Sequence, residues 1–273
     1  MKDQPLHNSL KLEVLISTMH KVSLDFVEKM FPFQEWKNLN ILIINQTEKG
    51  KELQSPFPNI RIVNSYEKGL SKSRNLAIQN AVGDICLIAD DDIEYLSNFE
   101  ATIKNAFVKF PKASIIRFKI DTFSGEDYKP YPPATKRLTS KKDIENTSSI
   151  EIAFKRNSIY NNVYFNTNFG LGSQFTCGEE YLFLKETLKQ HKEVYFENTA
   201  IVKHSVERST SNMGSDQFVK AQAALYYHDY KQLSYLYLFK FVLFLLRKKI
   251  ISIKYFIPKY MVGVSAIKLY KEL

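Results

Sequence analysis

Residues 69–92 read GLSKSRNLAIQNAVGDICLIADDD. Leu76, Ile78 and Ala81 keep a helix's apolar spacing, with Ser71 as candidate N-cap and Gly83 as candidate C-terminal stop. An apolar strand, DICLIA, follows and runs straight into Asp90, Asp91 and Asp92. Adjacent like charges repel and resist burial, so three carboxylates closing a buried strand require a counter-charge. One residue apart in an extended segment, Asp90 and Asp92 point the same way. Two hard oxygen ligands on one side suit Mg²⁺ or Mn²⁺. The alternative is a solvated acidic turn.

Outward from this stretch, strand-like and helix-like segments alternate. LEVLIST (12–18) reads as a buried strand, and LDFVEKMF has helical spacing at Leu24, Val27 and Phe31. NILIINQ and NIRIVNS read as strands, separated by a loop holding Pro56 and Pro58. LSNFEATIKNAFVKF is an amphipathic helix closed by Pro111, and ASIIRFKI a further strand. This alternation predicts an α/β fold with a mostly parallel sheet covered on both faces. Residues 121–146, polar and proline-bearing, predict a long surface excursion. Order resumes at SSIEIAF; GEEYLFLKETLKQH then reads as a helix and EVYFENTAIVKH as a strand pair. From about Phe218 the chain turns aromatic and helical.

With 44% hydrophobic and 25% charged residues in 273, the chain is an ordinary globular protein with a real core. Cys86 and Cys177 imply neither a disulfide framework nor a zinc cluster, and read as thiols in a reducing compartment. The start MKDQPLHNSLKLEVLIS lacks the features of a signal peptide, which leads to the expectation of a cytoplasmic protein. The net charge of +9 is concentrated: from Lys231 to Leu273 there are nine basic residues and one acidic. A nearly neutral body argues against nucleic acid as a partner. LSYLYLFKFVLFLL, followed by RKK, is too short for the ~20 residues that span a bilayer. It fits a segment lying on an anionic membrane surface, or else a helical subdomain packed on the main domain or a second subunit.

Ligands of parallel α/β sheets bind outside the carboxyl ends of the strands, where the three aspartates sit. A helix beginning near Ser71 favours anions at its N-terminus, and Lys68, Lys72 and Arg74 lie near it. Acids and bases together suit a metal-bound diphosphate. Gly69-Leu70-Ser71, Arg74-Asn75, Ala81-Val82-Gly83-Asp84 and Asp90-Asp91-Asp92, in this order, resemble the nucleotide-binding half of the family 2 glycosyltransferases with a GT-A fold. The resemblance extends from about Leu12 to His204.

It implies a Rossmann-like, mostly parallel sheet flanked by helices in residues 1–215, with a nucleotide-sugar half over about 10–120 and an acceptor half over about 121–215. A helical C-terminal extension would occupy 216–273. Asp92 would bind Mn²⁺ or Mg²⁺, Asp90 would share the metal or meet the ribose, and Arg74 would lie against the nucleotide. Thr18, Lys68 and Asp91 would complete the nucleotide-sugar site. INQTEKG stands where the family often has an acidic turn that reads the base, so Gln46 or Asn45 would do so with an amide, and UDP is the default donor. Glu180 matches the family's general base, with Glu179 beside it. As acids in a helix's first turn, both are also favoured by its dipole. His204, ending a strand, would be a further metal ligand, while His7, His20, His191 and His228 lack such a context.

The expected function is inverting, metal-dependent transfer of a sugar to a glycan or lipid-linked saccharide in surface polysaccharide synthesis, at the inner face of the membrane. A nucleotidyltransferase and a non-catalytic nucleotide-sugar-binding module are the alternatives.

Overall fold

The computed structural model of the chain describes residues 10–126, 128–205 and 213–273. They divide into two compact units, one within residues 1–166 and 180–206, the other within 167–179 and 207–273.

The first unit is built on β1 (Leu12–Met19), β2 (Ile41–Gln46), β3 (Ile60–Ser65), β4 (Ile85–Ala89), β5 (Glu94–Tyr95), β6 (Ala113–Thr122), β7 (Lys136–Leu138), β8 (Ile152–Lys155) and β9 (Glu193–His204). They form one sheet in the order β3-β2-β1-β4-β8-β6-β9-β5, with β7 also on β9. β3, β2, β1 and β4 run parallel, and β6 is parallel to β9. β8 is antiparallel to both its neighbours. The helices are α1 (Asp25–Met30), α2 (Leu70–Asn80), α3 (Phe99–Lys109), α4 (Lys141–Ile144), α5 (Arg156–Ile159) and α6 (Glu179–Lys189). β2 and β4 are buried at every position and β1 at all but the last, as continuous apolar runs in a two-sided sheet require. The chain leaves β1 toward β2 and β3, then returns to lay β4 on the other side of β1. That reversal opens a crevice at the carboxyl ends of β1 and β4.

Several expectations are corrected. α2 begins at Leu70 with Gly69, not Ser71, at the cap; Gly69 takes φ 127°, open only to glycine at low cost, and Ser71 is buried in the first turn. α2 also ends at Asn80, three residues before Gly83. Gly83 answers a different need, since a Cβ there would lie 2.7 Å from the Cβ of Glu13. Glu13 is buried at 1% exposure, accepts hydrogen bonds from the amides of Val82 and Gly83, and pairs with Arg61 at 2.6 Å. Residues 193–204 form one twelve-residue strand, not a pair, and irregularities against β6 absorb the polar Glu197-Asn198-Thr199 step. The stretch 121–146 is more than a surface excursion. Leu138 and Ile144 are fully buried, β7 pairs with β9, and Asp143 with Ser140 caps α4.

The second unit holds α7 (Asp216–Tyr230), α8 (Ser234–Arg247) and α9 (Phe256–Lys271). Residues 167–179, which the domain expectation put in the sheet domain, cluster here. Phe169 and Phe175 are both buried, and each meets the Tyr270 ring edge-on. α8 and α9 cross closely, because a Cβ on Gly263 would lie 2.5 Å from a Leu238 methyl. Among the described residues no helix is long and apolar enough to cross a membrane.

Candidate functional site

Each of the three aspartates after β4 has a different nitrogen-bearing partner, which answers how they coexist. Asp90 accepts from Arg74 Nη2 at 3.2 Å and from the Ser149 hydroxyl at 3.2 Å. Asp91 accepts from the Thr18 hydroxyl and pairs with Lys21 Nζ at 3.0 Å. Asp92 Oδ1 lies 3.5 Å from His204 Nε2. Thr18 is the last but one residue of β1, so its bond to Asp91 ties together the ends of β1 and β4 that flank the crevice.

Arg74 is central. It is 2% exposed, and its other terminal nitrogen reaches Glu180 Oε1 at 3.4 Å. One guanidinium therefore touches Asp90 at the carboxyl end of β4 and Glu180 in the first turn of α6. The Phe165 ring lies 5.5 Å from the guanidinium carbon. Asn75 holds that phenylalanine by a two-way clasp, donating to its carbonyl at 2.8 Å and accepting from its amide at 2.7 Å. The Arg-Asn pair thus consists of one residue facing the acids and one fixing the ring beneath it. Ser73 donates to the Ser17 hydroxyl at 3.0 Å, docking α2 on β1.

His204 Nδ1 donates to the Ser205 carbonyl at 2.6 Å, which turns Nε2 toward Asp92. The hydrogen bond from His204 holds the Asp92 carboxyl below its usual range, and the same bond raises the histidine. Asp92 is the most open of the three, its side chain 68% exposed. The Asp92 carboxylate oxygen suits Mg²⁺ or Mn²⁺, and the His204 imidazole nitrogen makes Mn²⁺ the better fit of the two. Among the described residues no three His, Cys, Asp or Glu side chains gather into a closed cage. That leaves room for substrate oxygens, as magnesium sites with one or two carboxylates do.

Other expected residues sit differently. Gln46 is buried and its Oε1 accepts from the Gly69 amide at 2.7 Å, so it holds the start of α2. Asn45 bonds both ways with the Lys21 backbone and donates to Asn64. Neither amide oxygen is turned outward to read a base; both are spent on neighbouring backbone. Lys68 is exposed ahead of α2, and Lys72 pairs with Glu67 on the surface. Glu179 is the first residue of α6 and is buried. Cys86 is buried, which pushes its thiol far up and keeps it protonated.

Behind Asp90 lies a network that sequence reasoning missed. Glu151 is fully buried and accepts from Arg117 at 2.7 Å, Lys129 at 3.0 Å, the Ser148 amide at 3.0 Å and the Tyr131 hydroxyl at 3.2 Å. It anchors the turn that carries Ser149 to Asp90. The motif Ser148-x-x-Glu151, a helix-start signature, was the available signal. Burial lowers the Lys129 ammonium to about 8, against the pull of Glu151. In the unfolded chain the same lysine titrates near 10.4. Between these values the unfolded state binds more protons, so stability rises with pH. Wild type is therefore expected to gain about 1 kcal/mol per pH unit over Lys129→Met between pH 8 and 10. Urea melts of both proteins across that range check it, and parallel pH profiles would refute it.

The sequence of residues 24–188 matches the family model described as Glycosyl transferase family 2. No curated protein matches the chain. Among solved structures, S. aureus TarS 1–349 is similar at a TM-score of 0.59 and 14% identity, covering 96% of this chain and 81% of that one. The same TarS fragment in complex with UDP-GlcNAc has the same score, identity and coverage. The fragment in complex with UDP matches at 0.59 and 15%, covering 94% and 80%. At such identity the likeness concerns the fold, while the family match extends through both Arg74 and Glu180. The chain belongs to glycosyl transferase family 2.

Proposed function

We propose that the protein transfers a sugar from a nucleotide-sugar donor to a saccharide or lipid-linked saccharide acceptor with inversion, in surface polysaccharide synthesis. The carrying observation is the Asp90–Arg74–Glu180 line, which sets a carboxylate on α6 opposite the acids of β4 across one guanidinium. UDP is the proposed donor nucleotide; the similar TarS fold in complexes with UDP-GlcNAc and UDP supports it. Asp92 and His204 would hold Mn²⁺ or Mg²⁺, with Asp90 sharing the metal or meeting the ribose. When bound, the cation stabilises negative charge on the leaving diphosphate. Thr18, Lys21 and Asp91 would border the nucleotide pocket, and Gln46 would shape it by fixing Gly69.

Glu180 accepts the proton of the acceptor hydroxyl as that oxygen bonds to the anomeric carbon. The anomeric carbon–oxygen bond to the diphosphate breaks, and its electron pair leaves with the nucleoside diphosphate. Attack opposite the leaving group inverts the anomeric centre. Arg74 orients Glu180 through their 3.4 Å contact. The proposed setting is cytoplasmic, on the inner face of the membrane.

Product analysis with a panel of nucleotide sugars and Mn²⁺ tests the reading. Free nucleoside diphosphate with a sugar of inverted configuration is expected. Pyrophosphate would instead identify a nucleotidyltransferase. Donor binding by calorimetry with no turnover over many acceptors would identify a binding module.

A further inference from the structure

α8 carries two apolar stripes where one would suffice for packing. Ser234, Leu238, Phe241, Val242 and Leu245 are buried and recur at helical spacing. On the other side Leu236, Phe239, Leu243 and Phe244 are all exposed, Leu236 at 50%. A helix apolar all round belongs inside a protein or against lipid, and here one side faces out. Lys240, Arg247 and Lys248 line an open groove together with Leu243 and Phe244. Among the described residues none of these three cations has a carboxylate within ion-pairing distance. By contrast, Lys259 is paired with Asp216 at 2.6 Å. The surface continues beyond α8 through Ile250, Ile253, Tyr255, Ile257 and Met261, all exposed. Phe239 meets the Phe256 ring edge-on at 5.6 Å, so the apolar row of α8 adjoins the start of α9.

We infer that this face docks on a bilayer rich in anionic lipid, with Leu236, Phe239, Leu243 and Phe244 in the headgroup–acyl boundary and Lys240, Arg247 and Lys248 on lipid phosphates. This deepens the membrane setting proposed above but does not depend on sugar transfer. Charge decides the occupant. Nine basic residues against one acidic from Lys231 to Leu273 would repel one another across a two-fold contact of two copies, whereas an anionic leaflet attracts each Lys or Arg by about 1 kcal/mol. α8 has 14 residues, near 21 Å at 1.5 Å per residue, so it lies along the surface instead of crossing it.

The test is co-sedimentation of the full chain with vesicles of phosphatidylcholine alone or with about a third phosphatidylglycerol. Binding to the anionic vesicles, weakened by salt, is expected. Lys240→Gln/Arg247→Gln/Lys248→Gln should lower the affinity by about 100-fold, at roughly 1 kcal/mol per charge removed. Leu243→Gln/Phe244→Gln should lower it at least tenfold by removing buried apolar area. Both variants should keep wild-type turnover of soluble donor and acceptor, which shows that they fold. No binding, or equal binding to both vesicle types, overturns the inference. So does a concentration-dependent oligomer that Leu243→Gln/Phe244→Gln dissociates, which would assign the face to a second copy. Vesicle binding without any sugar transfer would leave the docking surface standing and remove the transferase reading.

Discussion

Glu180→Gln is expected to slow sugar transfer by about 10³-fold while leaving the donor's dissociation constant within about threefold. Glutamine keeps the shape of the side chain, and its carbonyl still accepts from Arg74 at the present 3.4 Å contact. What it loses is the negative charge and with it the basicity that takes the acceptor's proton, since an amide is far too weak a base at neutral pH. Paired measurement of transfer rate and of donor binding by calorimetry separates two roles. If donor binding collapses together with the rate, Glu180 serves to position Arg74 and is not the base. Glu179→Gln is the control on the neighbouring acid: it should leave the rate within about tenfold if Glu180 takes the proton.

The second large effect is expected at Asp92. Asp92→Asn should lower Mn²⁺-dependent transfer by 10²–10³-fold, and addition of a chelator should do the same to wild type. Asparagine preserves size but removes the negative charge that a divalent cation needs in its coordination shell. The neighbouring position provides the contrast. Asp91 is tied to the Thr18 hydroxyl and to Lys21 at 3.0 Å, so Asp91→Asn should weaken donor binding and change metal dependence little. Unchanged activity of Asp92→Asn with and without Mn²⁺ would remove the metal role from this residue.

The stretch from Gly69 to Asp92 was legible because its chemistry is local. Glycine before a helix, arginine and asparagine in its first turns, a tight turn and a strand ending in acids are all set by neighbours in the chain. Two of the acids' partners were not legible. Lys21 reaches Asp91 from 70 positions upstream, and Ser149 reaches Asp90 from 59 downstream. Only the packing of β1, β4 and the turn before β8 brings them together. Glu13 shows the same limit, since an acid inside LEVLIST reads as an interruption until Val82, Gly83 and Arg61 are seen around it. The amide of Gln46 was expected to face a ligand. Its bond to Gly69 follows from the parallel pairing of β2 and β3, which sets the end of β2 beside the start of α2. The tail's excess of basic and aromatic residues was visible in composition, but only the helix showed that its apolar residues fall into two separate stripes.

Each acid of the crevice has a nitrogen partner: Arg74 meets both Asp90 and Glu180, Lys21 meets Asp91 and His204 meets Asp92. A donor entering there exchanges one set of partners for another, and these contacts tie α2, α6 and the ends of β1, β4 and β9 into one frame. Binding energy that would otherwise go into ordering is then left for the reacting bond.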